Sequence, residues 1–145
     1  MHPLCSEQSV HRREVPFQMK KKIAFICVHN SCRSQIAEAL GKFFRGEDYD
    51  FYSAGTETKP QINRDAVRLV KELYGIDMDL TQHSKTFDKI PTPDVAISMG
   101  CDVGCPFIGR DFDENWQLPD PTGKADEDFL KVIKQIEENI KNLAC

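Results

Sequence analysis

At 145 residues, with 40% hydrophobic and 29% charged side chains, the chain has the size and balance of a single globular domain with one core. A net charge of −4 argues against a general nucleic-acid coat, and the longest apolar run, Ile23–Val28, is too short to span a bilayer. Six cysteines, at 5, 27, 32, 101, 105 and 145, stand in a chain too long and too well supplied with core residues to need a secreted disulfide scaffold, so they ask for another use.

Arg12, Arg13 and Lys20–Lys22 face only Glu7 and Glu14, so the first 22 residues are basic and the remainder is strongly acidic. Residues 1–18 show no periodicity and no long apolar stretch, which excludes a signal peptide. They read as a disordered extension, with residues 19–145 as one domain and Met19 as a second plausible start. Cys5 and Cys145 read as free, solvated thiols without a role.

The run Ile23–Val28 predicts a strand buried on both faces. Ser34 is expected to cap a helix whose apolar stripe is Ile36, Ala37, Ala39, Leu40, Phe43 and Phe44, ending at Gly46. Phe51–Gly55 reads as a second strand. Asn63 caps a helix with Ala66, Val67, Val70, Leu73 and Tyr74 on one face, stopped by Gly75. A short helix is expected near residues 85–89, then a third strand over Val95–Met99. Residues 100–123, rich in Gly, Pro and Asp, predict a long loop with a short strand near Trp116–Leu118, Trp116 anchoring the loop to the body. The last helix carries Phe129, Val132, Ile133, Ile136, Ile140 and Leu143 at helical spacing, with acidic residues at its start and Lys141 near its end. Alternating strands and helices imply an α/β fold with a parallel sheet covered on both sides, and ligands bind beyond the carboxyl ends of such strands. Cys27, Gly55 and Cys101 fall at or just past those ends.

The segment Cys27–Ser34 links the first strand to its helix. Its backbone N–H groups can curl inward at a helix N-terminus, a concavity suited to a tetrahedral oxyanion. Arg33 can add two parallel charge-assisted bonds. The same field stabilises a thiolate at Cys27, and Ser34 can donate to it. An isolated buried cysteine usually behaves as a small hydrophobe. The strand before it, the helix after it and the polar His29, Asn30 and Ser31 favour a nucleophile here.

The run Cys27-Val28-His29-Asn30-Ser31-Cys32-Arg33-Ser34-Gln35-Ile36-Ala37-Glu38-Ala39, with Ser53-Ala54-Gly55 and Asp120-Pro121, resembles the signature of low-molecular-weight protein tyrosine phosphatases and of the arsenate reductases built on their fold. The resemblance implies a three-layer sandwich with a four-stranded parallel sheet. It implies Cys27 as nucleophile, Arg33 as oxyanion ligand, and an oxyanion cradle formed by Val28, His29, Asn30, Ser31, Cys32, Arg33 and Ser34. It also makes Asp120 a general acid; without it, Asp120 before Pro121 reads as a turn residue.

Both branches share the first chemical step. A phosphatase then needs water and Asp120, whereas a reductase needs further thiols. Cys101 and Cys105 lie just after the third strand, on the same sheet edge as Cys27. By resemblance to thioredoxin-coupled arsenate reductases, Cys101 attacks Cys27 and Cys105 completes a disulfide that thioredoxin reduces. The three residues between them are fewer than in the best-known reductases. Thr122 and Gly123 after Pro121 offer no ring to sandwich a phenol, and Gln35 and Asp120–Lys124 also look like the reductase branch.

The expectation is therefore a cytoplasmic arsenate reductase, with phosphate as competitor and weak phosphatase activity alongside. Thioredoxin is the expected reductant and glutaredoxin the other thiol carrier. Neither a cofactor nor a metal, nucleic acid or membrane is called for. The alternatives are a phosphatase and, more remotely, a structural zinc module using Cys-x4-Cys and Cys-x3-Cys spacings. Cys32 reads mainly as packing under the loop, with a disulfide to Cys27 as the minor reading. His29 reads as a loop hydrogen-bonder, Asn30 as a residue that shapes the loop, and His83 as exposed. Some reductases of this fold use potassium, whose ligand positions match Asn30, Glu38 and Ser53. Lys85 aligns with the remaining acidic ligand, so an ammonium is expected to replace the ion and potassium dependence to be small.

Overall fold

The computed structural model describes residues 20–100 and 109–144. The extension expected at 1–18, and Cys5, Cys101, Cys105 and Cys145, lie outside the described residues. In chain order the elements are β1 (Lys21–Cys27), α1 (Arg33–Arg45), β2 (Tyr49–Gly55), α2 (Arg64–Tyr74), a single-turn α3 (Met78–Thr81), a 3-10 turn (Phe87–Lys89), β3 (Val95–Ser98), β4 (Glu114–Asn115) and α4 (Asp126–Lys141). The four strands form one parallel sheet in the order β2-β1-β3-β4, the expected α/β architecture.

β1 is central, which is why Ile23, Ala24, Phe25 and Ile26 are all fully buried and carry no polar alternation. Ile23 and Phe25 join the main core with α1, α2 and α4. Ala24 and Ile26 belong to a second cluster with Ala54, against which Tyr52, Phe87, Ile90 and Phe112 pack. Phe25 stacks on Phe51 at 5.8 Å between ring centroids and meets Trp116 at 5.3 Å, so Trp116 is the expected anchor. The chain leaves β1 to one side for β2 and later returns to the other side for β3. The C-terminal ends of β1 and β3 therefore flank a topological switch point, where ligands bind in such sheets.

Helix boundaries follow their end signals. The Asn63 side chain accepts from the Ala66 amide at 3.0 Å, and Gly75, at φ 74°, returns its amide to Lys71 O. Arg45 at the end of α1 fastens the end of α4, Nη1 donating to Ile140 O, Lys141 O and Leu143 O at 3.0, 3.2 and 3.1 Å.

Several expectations shift. Cys32, not Ser34, occupies the N-cap of α1 and provides no side-chain cap, because the Ser34 hydroxyl is turned to Cys27. The last strand lies at Glu114–Asn115, ahead of Trp116–Leu118, since Gln117 adopts φ 49° and breaks the extended run. β2 begins two residues earlier than expected, at Tyr49, and the helix near 85–89 is only the 3-10 turn. Phe43 and Leu73 remain half exposed, Phe43 resting edge-on against Phe44 and Tyr74.

Candidate active site

Cys27 closes β1, opposite Gly55 of β2. No side chain fits at Gly55: a Cβ there would stand 2.5 Å from Val28 O and 2.9 Å from Asn30 N. The loop that follows has its carbonyls drawn outward by other segments. Val28 O accepts from the Thr56 and Glu57 amides, both at 2.9 Å, and Ser31 O accepts from the Asn63 amide at 2.7 Å. His29 O accepts from Ser84 Oγ at 2.8 Å, and Asn30 O from Gln35 Nε2 at 3.0 Å. Asn30 makes the reversal at φ 50°, as expected of the residue that shapes the loop.

With the carbonyls held outside, the amides are left to the concave side. Asn30 N donates to Cys27 Sγ at 3.1 Å, and Ser34 Oγ lies 2.8 Å from the same sulfur. Among the described residues, the amides of Val28, His29, Ser31 and Cys32 have no protein acceptor. A ring of such donors at the start of α1 matches a tetrahedral oxyanion.

Arg33 begins α1. Its Nη1 donates to Leu118 O at 2.6 Å and to Met99 O at 3.4 Å, placing the guanidinium between the end of β3 and the segment leading to Asp120. Gly100 makes this passage possible: at φ 124°, a Cβ there would lie 3.0 Å from Nη1 and 2.7 Å from Leu118 O. Asp120 Oδ1 accepts from the Thr122 amide at 3.0 Å. Burial pushes the Asp120 carboxyl up, but the bonds from Thr122 and the charges of Arg33 and Lys124 outweigh it, so the carboxyl lies below its usual range.

Cys32 is 5% exposed. Burial, helped by the Asp120 charge and opposed by Thr122 and Arg33, lifts its thiol from the ordinary 9.0 to about 12. It is a neutral packing thiol, in line with the main expectation. A raised thiol favours the protonated form in the fold, so its stability contribution is complete below about 9 and is lost as pH rises toward about 12. Chemical denaturation across alkaline pH is expected to show wild type weakening more steeply than Cys32→Ala; parallel curves would overturn this.

Behind the loop, Glu38 is 4% exposed and accepts from Ser53 Oγ at 2.5 Å. Lys42 Nζ approaches its other oxygen at 2.5 Å, and Lys85 Nζ lies 3.4 Å from Oε1 and 3.1 Å from His83 O. Burial pulls the Lys85 ammonium down while Glu38 holds it up. These residues do not fit a bound potassium ion, because a second cation would meet the Lys85 ammonium beside the same carboxylate.

The structure thus brings Cys27, Asn30, Ser34 and the loop amides together, with Arg33 and Asp120 along the neighbouring edge. His29 is at the rim, its Nε2 3.3 Å from Glu57 Oε1, and His83 is exposed as expected. Cys101 and Cys105, and with them the zinc alternative, lie outside the described residues. Among the described residues no cluster of three His, Cys, Asp or Glu side chains is placed to hold a metal, and no helix is long and apolar enough to cross a membrane. Sequence reasoning missed Gln82 and Gly100. Gln82 sits in a stretch without periodicity, and only its neighbours in space show why it is buried.

The family described as low molecular weight phosphotyrosine protein phosphatase matches residues 22–145. The chain is similar to arsenate reductase 1 of Staphylococcus epidermidis, 34% identical over 131 residues that cover 86% of this chain and 96% of that protein. It is also similar to a solved arsenate reductase in the phosphate binding state, with 35% identity, a TM-score of 0.74, and 86% and 96% of the two chains covered. A low molecular weight protein tyrosine phosphatase from T. tengcongensis shares the fold at 22% identity and a TM-score of 0.64, over 84% of this chain and 96% of that one.

Proposed function

The chain belongs to the low molecular weight phosphotyrosine protein phosphatase family, and within it we propose an arsenate reductase that works through a cysteinyl-arsenate adduct and a disulfide relay. The observation that carries this reading is the placement of β3 beside β1. Met99 N donates to Ile26 O at 3.0 Å, so the end of β3 lies against the end of β1, and in the sequence Cys101 follows Met99 by two residues.

The Cys27 thiolate attacks arsenic while the amides of Val28 to Ser34 and the Arg33 guanidinium hold the oxygens. A sulfur–arsenic bond forms and one oxygen leaves as water. Asp120 supplies the proton, and the dianion in the cradle opposes its ionisation and raises its proton affinity on loading. The Cys101 thiolate then attacks Cys27 Sγ. The sulfur–arsenic bond breaks with its electron pair moving to arsenic, so arsenate becomes arsenite as Cys27 and Cys101 become a disulfide. Cys105 displaces Cys27 from Cys101, and a dithiol carrier, thioredoxin in this reading, reduces the Cys101–Cys105 bond. Such a cycle suits the reducing cytoplasm.

The family's cradle accepts phosphate equally well by shape and charge, so selection for arsenate lies in the redox step. The test is arsenate-dependent NADPH oxidation with thioredoxin and thioredoxin reductase, with phosphate added. Turnover that millimolar phosphate inhibits competitively is expected. Turnover untouched by phosphate would rule out the oxyanion cradle, and no turnover with any dithiol carrier would rule out the reductase.

A further inference from the structure

We propose that Gln82 and Gln35 are positioning residues for the Cys27 sulfur, acting through a one-way chain of buried hydrogen bonds that ends on it. The inference rests on the reading of Cys27 as nucleophile and extends it to residues outside the loop. Gln82 Nε2 donates to Gln35 Oε1 at 2.7 Å, Gln35 Nε2 donates to Asn30 Oδ1 at 2.9 Å, and Asn30 Nδ2 donates to Ser34 Oγ at 2.9 Å. Ser34 Oγ then lies 2.8 Å from Cys27 Sγ. Gln82 is 7% exposed, and Gln35, Asn30 and Ser34 are fully buried.

The direction of each amide is set by a backbone group that can play only one role. Gln82 Nε2 also donates to the Gln35 carbonyl at 3.0 Å. Gln35 Nε2 also faces the carbonyls of Asn30 and His83, at 3.0 and 2.9 Å. Asn30 Oδ1 also accepts from the Lys85 amide at 2.9 Å. Turning any one of the three amides would set oxygen against oxygen or N–H against N–H. The chain therefore runs one way. Ser34 oxygen receives a hydrogen from Asn30, and its own hydroxyl hydrogen is left for the sulfur.

Aligned donors in a dry interior polarise one another, and here the positive end of every link points toward Cys27. Negative charge on the sulfur is thus met by four linked dipoles rather than by one hydroxyl. The same chain ties the nucleophile loop to the segment after α3.

The experiment follows alkylation of Cys27 by iodoacetamide at neutral pH, read by mass spectrometry of the Cys27 peptide. It needs no arsenate, so its outcome is separate from whether the chain reduces arsenate. Gln82→Met, which removes the donor and keeps the length, is expected to slow alkylation about threefold, and Ser34→Ala about tenfold. The double variant is expected to match Ser34→Ala alone, because the last link is already cut. An unchanged rate in Gln82→Met, or effects that multiply fully in the double variant, would overturn the proposal. Should Gln82→Met fail to fold, Gln82→Glu keeps the shape and donates only while its new carboxyl is protonated. Its rate relative to wild type is then expected to fall as pH rises from about 5 to about 8, and a flat ratio would overturn the proposal.

Discussion

Cys101→Ser is expected to lower arsenate-dependent NADPH oxidation by a factor of about 10³ or more, while slow hydrolysis of an aryl phosphate survives. In the proposed mechanism the two reactions share Cys27, the loop amides and Arg33, and part company only after the adduct forms. Hydrolysis needs water and a proton donor. Reduction needs two electrons, and the described residues offer no thiol to supply them beyond Cys27, which is already bonded to arsenic, and Cys32, which burial keeps protonated. Cys27→Ser is expected to abolish both reactions. Cys105→Ser is expected to release one arsenite per chain and stop with Cys27 and Cys101 joined, as mass spectrometry of the trapped product would reveal. Full turnover by Cys101→Ser would sink the assignment.

Lys85→Met is expected to destabilise the fold by about 1–3 kcal/mol. The Lys85 and Glu38 side chains are 12% and 5% exposed, so their pairing is shielded from water. Losing the ammonium leaves Glu38 to Ser53 and to Lys42, whose side chain is nearly half exposed and a weaker counter-ion. Urea denaturation is the measurement, and a cost below about 1 kcal/mol would show that Lys85 is not the main counter-ion of Glu38. Glu38→Gln in the Lys85→Met background is expected to recover part of the loss, since the buried charge then held only by Ser53 and the half-exposed Lys42 is gone. Wild type, with its own ammonium in place, is expected to show equal activity and thermal stability in potassium and sodium salts at matched ionic strength. A several-fold gain in potassium would refute this.

What could be seen in the sequence was what lies close together along it. The buried run of β1, the stripes of α1 and α4, the Asn63 cap and the Gly75 stop each declare themselves within a few residues. The nucleophile loop does too, because Cys27, Asn30, Arg33 and Ser34 belong to one short turn. Ser34 shows the limit of that vision: a serine before an apolar stripe reads as a cap, yet its hydroxyl serves the sulfur. The supporting groups arrive from far along the chain. Gln82 meets Gln35 across 47 residues, and Arg33 meets Leu118 across 85. Polar side chains in such places carry no periodicity, and only the fold shows what they touch. β4, at two residues, is too short for any alternation to appear.

The outward-turned carbonyls of the loop have a consequence for how the protein is born. Val28 is held by residues 56 and 57, Ser31 by Asn63, and His29 by Ser84, which is 55 residues further on. During synthesis from the N-terminus, Cys27 therefore leaves the ribosome well before the groups that shape its surroundings exist. For that interval the loop lacks the partners that hold its carbonyls outward. A chain truncated before Ser84 would carry the run from Cys27 to Ala39 without the hydroxyl that holds His29 O, and so without a complete frame for the loop.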